Sequence, residues 1–205
     1  MEEVLQALAS FFVYAVVAVF AQNAVFTRAL GVSRVVKLVD DGTVDTVMFG
    51  SLLCAVQLIS APLGYFASGW ISQLPYRDYI RPLVFLGCAA VAFFVVLLFS
   101  VVIFRVDGAR RAVAVLPMAT FNTCLLGTLL ISSVQNFNFA QTLGFALGSG
   151  IGYVLAVVVV MGGEKRLESE KIPAMFRGLP ITLLYIGILA LAIYGFTGHR
   201  SEERR

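Results

Sequence analysis

The sequence predicts an all-α integral membrane protein of six transmembrane helices, arranged as an inverted 3+3 repeat with helices 1 and 4 interrupted. Three observations carry that prediction. Residues 112–163, 52 in all, contain no Asp, Glu, Lys or Arg, enough for two crossings of a hydrocarbon core about 30 Å thick. The chain is 60% hydrophobic and 13% charged, against roughly 25% charged in an ordinary soluble domain. Two polar clusters, QNAVFTRALG at 22–31 and PMATFNTCLLG at 117–127, interrupt apolar stretches, and their Asn residues lie 99 positions apart.

The first charge-free stretch covers residues 4–27. Its acidic start, Met1-Glu2-Glu3, lacks the positive region of a secretory signal, so the stretch is expected to span and be retained. The second span, 46–72, sits in an over-long apolar run that Pro62 can kink and Trp70 can end at the interface. A third follows at 82–104. The uncharged turn SSVQNFN at 132–138 divides the next two, 112–132 and 139–163, and the last covers 178–198. All belong to one membrane domain over residues 1–205.

Orientation follows from the loops. Ten Lys and Arg fall in the odd-numbered loops: Arg28, Arg34, Lys37, Arg105, Arg110, Arg111, Lys165, Arg166, Lys171 and Arg177. Five, Arg77, Arg81, Arg200, Arg204 and Arg205, fall on the other side. The positive-inside rule then puts both termini outside the cytoplasm. Trp70, Tyr76 and Tyr79 surround the outer loop as interfacial anchors. Gly144, Gly148 and Gly152 form a stripe that admits a second helix, from the same chain or from a partner.

Several chemistries are excluded. The net charge of +3 is spread over short loops, so no nucleic-acid footprint exists. The single His, His199, lies in the polar tail and rules out a histidine-ligated metal within the membrane. No acidic residue lies within a span, so a carboxylate relay lacks its main component. There is no P-loop, nucleophile elbow or Cys-x-x-Cys, and nothing marks the chain as an enzyme by itself. Cys54, Cys88 and Cys124 sit in apolar runs and read as buried thiols.

What remains is polar chemistry at the two breaks. Three spans precede the second cluster and none the first, so the halves run in opposite directions, as in folds whose interrupted helices meet near the midplane. An unpaired amide in hydrocarbon costs several kcal/mol. Asn23 and Asn122 therefore either cap and glue broken helices or face water or a ligand.

At these clusters the sequence resembles the small six-helix membrane subunits of the RnfA/NqrE type, found in the Rnf and Na⁺-pumping NADH:quinone oxidoreductase (Nqr) complexes. The resemblance rests on LPMATFN at 116–122, NFAQTLGFALGSGIG at 138–152, the loop EKRLESEKIPAMFRG at 164–178, the ending GFTG at 195–198, and Asn23 with Leu30-Gly31 in the first half. It implies membership of an ion-translocating electron transport complex in a bacterial inner membrane. There, two such subunits of opposite topology hold a [2Fe-2S] cluster and pass electrons between flavin-bearing subunits. It also implies cysteine ligands after the first-half Leu-Gly and directly after the second-half Asn. This chain departs at both positions. Val32-Ser33-Arg34 follows Leu30-Gly31, making Ser33 the positional substitute, and Thr123 precedes Cys124 after Asn122. If the resemblance extends to the cofactor, Cys124 is the metal ligand, with Asn122, Thr123, Asn23 and Ser33 around it. A [2Fe-2S] cluster wants four thiolates. A second reading is therefore a cluster-free relative acting as a small-solute or ion pathway or as a membrane scaffold.

Overall fold

The computed structural model describes residues 1–41, 45–103, 106–167 and 173–197. Arg105, Lys171, His199, Arg200, Arg204 and Arg205 lie outside the described residues, as do residues 168–172 of the charged loop. All regular structure in the described residues is helical: α1 (Glu2–Val19), α2 (Val32–Asp41), α3 (Thr46–Ile71), α4 (Arg77–Ile103), α5 (Val106–Thr120), α6 (Thr123–Val134), α7 (Phe139–Leu167) and α8 (Leu179–Thr197), with one 3₁₀ turn at Ala174–Phe176.

Among the described residues, α1, α3, α4 and α7 are each long and apolar enough to cross a membrane. The pair α5 and α6, bent by 48° between Thr120 and Thr123, is a broken span, which would make five, or a re-entrant loop, and α8 is apolar over Leu179–Gly195 but shorter. The first helix ends at Val19 rather than near residue 27, because residues 20–31 leave the helix for a set of turns held by Asn23 and tied to α7. Many large apolar side chains face outward, Phe12, Phe66, Phe94, Val102 and Leu191 among them. A protein dissolved in water would not leave such a surface bare; in lipid it is the ordinary exterior.

The bundle is organised around α7. Of its apolar stretch 61% is buried, against 6% for α1. The glycine stripe is the seam between these two helices. A Cβ at Gly144 would strike the carbonyl of Phe11, and one at Gly148 the carbonyl of Ala15. The stripe therefore packs within the chain, backbone against backbone, as small-residue interfaces in membranes do. On its far side α7 packs on α3, which also contacts α4, α5 and α6. Asp45 starts α3 by accepting from the Val47 and Met48 amides at 3.0 and 3.4 Å, a normal side-chain cap. Trp70, Tyr76 and Tyr79 are exposed at one end of the bundle.

Candidate functional site

The first break is folded around Asn23, whose side chain is 1% exposed. Its Nδ2 donates to the Val19 carbonyl at 2.8 Å and to the Gly152 carbonyl of α7 at 2.9 Å. Its Oδ1 accepts from the amides of Val25 at 3.0 Å and Phe26 at 3.3 Å. The amide thus replaces groups the interrupted helix has lost and ties the break to the central helix. Every polar atom of the Asn23 side chain is engaged, which is the capping and gluing role and leaves nothing for a ligand.

The second break turns on Asn122, 3% exposed. It is the N-cap of α6, with Oδ1 accepting from the Cys124 amide at 3.1 Å. Pro117, one turn earlier, cannot donate to the helix of α5, so the helix is already weakened where Asn122 ends it. Asn122 Nδ2 is buried with no hydrogen-bond partner.

The two breaks meet. Gly31, with φ +74°, donates its amide to Thr123 Oγ1 at 2.8 Å and accepts from the Tyr153 hydroxyl at 2.9 Å. A Cβ at Gly31 would lie 2.6 Å from Tyr153 Cε2 and 2.7 Å from Asn122 Oδ1. Glycine is required twice over, for the left-handed backbone and for the approach. Leu30 reinforces the contact by covering Gly127 of α6.

Cys124 points the other way, into the protein. It is fully buried, and its Sγ accepts from Gln57 Nε2 at 3.5 Å and lies 3.5 Å from Ser149 Oγ. Thr128 Oγ1 donates to the Cys124 carbonyl at 2.8 Å and lies 2.8 Å from Ser149 Oγ. Each hydroxyl has one proton. With that of Thr128 given to the carbonyl, Ser149 donates to Thr128, and the Cys124 S–H is left to donate to Ser149. The network uses the thiol with its proton on. Gln57 Oε1 is buried without a partner. Cys54 adjoins the same group, since a Cβ at Gly150 would lie 2.6 Å from both Cys54 Sγ and Gln57 Oε1.

Thr123 and Asn122 are therefore adjacent to Gly31, Cys124 turns from them toward Gln57 and Ser149, and Asn23 is bound to Gly152. Ser33 is exposed in the first turn of α2. Sequence reasoning missed Tyr153, Gln57, Thr128 and Ser149. Gln57 was visible as an amide inside a charge-free run; Tyr153 reads as one more apolar-run aromatic until its hydroxyl is seen on Gly31.

These residues do not fit an iron–sulfur cluster shared with another subunit. Such a cluster needs thiolates presented at a protein surface. The two exposed positions that follow the breaks, Ser33 and Thr123, carry hydroxyls, and Cys124 is enclosed with its sulfur engaged. Among the described residues no three His, Cys, Asp or Glu side chains gather as a metal site.

Residues 11–199 match the family described as Rnf-Nqr subunit, membrane protein. The chain is similar to the RnfA-type component of the ion-translocating oxidoreductase complex of Syntrophotalea carbinolica, 43% identical over 83 residues, which are 40% of this chain and 43% of that relative. Over 182 residues it is 29% identical to the corresponding component of the Na(+)-translocating ferredoxin:NAD(+) oxidoreductase complex of Acetobacterium woodii, covering 88% of this chain and 93% of the relative. It is 35% identical over 83 residues to the NqrE-type component of the Na(+)-translocating NADH-quinone reductase of Psychromonas ingrahamii, 40% of this chain and 41% of that relative.

Proposed function

The chain belongs to the Rnf-Nqr family of membrane subunits, and on that premise we propose that it is a membrane component of an ion-translocating oxidoreductase-type complex that supplies no ligand to an iron–sulfur cluster. In this reading it consists of two oppositely directed three-span halves, α8 serving as the sixth span, with both termini outside the cytoplasm of a bacterial inner membrane. Its partners are a second six-helix subunit of opposite topology and the flavin-bearing subunits of the complex. Its two interrupted helices close on each other through Gly31 and Thr123 and present Ser33 and Thr123 where relatives are expected to present thiols.

The single observation that carries the reading is the inward turn of Cys124. Electron carriage through this chain, the expectation raised by the resemblance, requires a thiolate at the surface beside the breaks. The thiol of Cys124 is instead a donor and acceptor in a packed network with Gln57 and Ser149. A scaffold or a pathway for a small solute needs no such ligand. The breaks supply what folds of that kind use, interrupted helices with buried amides, Asn23 and Asn122, at the interruptions.

The experiment is affinity purification of the tagged full chain from its native membrane in mild detergent, with the accompanying proteins identified by mass spectrometry. The proposal expects a stoichiometric second six-helix subunit together with flavin-bearing ones. Recovery of the chain alone, or only with copies of itself, overturns it.

A further inference from the structure

At the end of the bundle bearing Trp70, Tyr76 and Tyr79 lies a cavity of about 370 Å³. The end of α3, the start of α4, the end of α6 and the turn into α7 enclose it. Arg77 and Arg81 both line it. The Arg81 side chain is only 18% exposed, and its Nε is buried without a hydrogen-bond partner. The nearest carboxylate, Asp78, is 76% exposed and 3.9 Å from each guanidinium, at the outer limit of an ion pair. A guanidinium withdrawn from water needs a compensating anion held by good hydrogen bonds, and Asp78 does not supply one.

The rest of the lining says which anion. Ser68 and Ser72 have already given their protons to the carbonyls of Tyr65 and Gly69. Ser133 and Asn136 also line the cavity with uncommitted side chains. The donors are thus two guanidiniums, one hydroxyl and one carboxamide. That set suits a tetrahedral oxyanion, which accepts several charge-assisted bonds at once. Two guanidiniums less the Asp78 carboxylate leave one positive charge, which a phosphodiester cancels. Beside the cavity Tyr65, Phe66 and Phe139 pack against one another, Tyr65 edge-on to both phenylalanines, with Phe66 69% exposed, an apolar cluster between the cavity and the lipid-facing surface.

We infer that this cavity binds a phosphate oxyanion, and that its source is the phosphodiester of an anionic lipid headgroup with the acyl chains along Phe66. The site is remote from the two breaks and does not depend on the function proposed above.

The test is thermal unfolding of the full chain, with its co-purifying subunits, in a neutral detergent. Short-chain phosphatidylglycerol, short-chain phosphatidylcholine and inorganic phosphate are added separately to the native protein and to Arg81→Gln, Asn136→Asp and Lys37→Gln. Phosphatidylglycerol well above its dissociation constant should raise the midpoint by roughly 5 °C and phosphatidylcholine should not. Arg81→Gln and Asn136→Asp should abolish the shift, while Lys37→Gln, which removes a charge elsewhere, should keep it. Asn136 has φ +52°, a conformation Asp also tolerates, so that variant tests the site even if Arg81→Gln fails to fold. An equal rise with inorganic phosphate supports the oxyanion site and overturns the lipid as its source. Equal responses to the two lipids, no response, or a phosphatidylglycerol response surviving in both cavity variants overturns the inference.

Discussion

The amide of Gly31 donates to the hydroxyl of Thr123 at 2.8 Å, across 92 positions of sequence. The bond closes the two interrupted segments on each other, and Tyr153 and Asn122 leave no room for a side chain at residue 31.

Gly31→Ala should therefore cost about 2 kcal/mol or more, from left-handed strain and overpacking together. Thermal unfolding of the purified variant measures this. Thr123→Val, which keeps the shape and deletes the acceptor, should cost about 1–3 kcal/mol through the unpaired Gly31 amide.

Asn23→Ala removes four hydrogen bonds at a buried site, two donated and two accepted. A loss of about 2–4 kcal/mol is expected, since the orphaned backbone groups stay away from water. Asn23→Asp retains the acceptor but not the donors, so it should rescue little. Comparison of the two midpoints decides whether the donated bond to Gly152 matters.

Asn122→Ser should be much milder than Asn122→Ala. Serine keeps a cap for α6, worth about 1 kcal/mol, and removes the Nδ2 that has no hydrogen-bond partner. If Ser and Ala are equally harmful, the cap is not what Asn122 provides.

Gly148→Leu should separate α1 from α7, because the added side chain meets the Ala15 backbone, which cannot rotate away. The expected result is loss of assembled protein on gel filtration, whereas Gly87→Leu, with open space around it, should assemble normally.

Much of this architecture was legible in sequence for a simple reason. Lipid punishes charge so strongly that charge-free runs mark the spans, and the two Asn-containing clusters marked where helices break. The end of α1 at Val19 was not legible, because the bonds that replace the helix come from Asn23 and Gly152, and the latter lies in a distant helix. The glycine stripe announced a close contact without naming Phe11 and Ala15 as its other side. Cys124 shows the sharper limit. Spacing placed it one residue past the family's expected position, but only the packing of Gln57, Thr128 and Ser149 decides which way that residue faces.

The most direct test is the iron and acid-labile sulfide content of the purified complex, compared between the native chain and Cys124→Ala at matched assembly. The account predicts the same ratio of iron to complex in both, whatever iron the partner subunits carry. Loss of about two irons and two sulfides in an otherwise intact Cys124→Ala complex would contradict it and make Cys124 a cluster ligand.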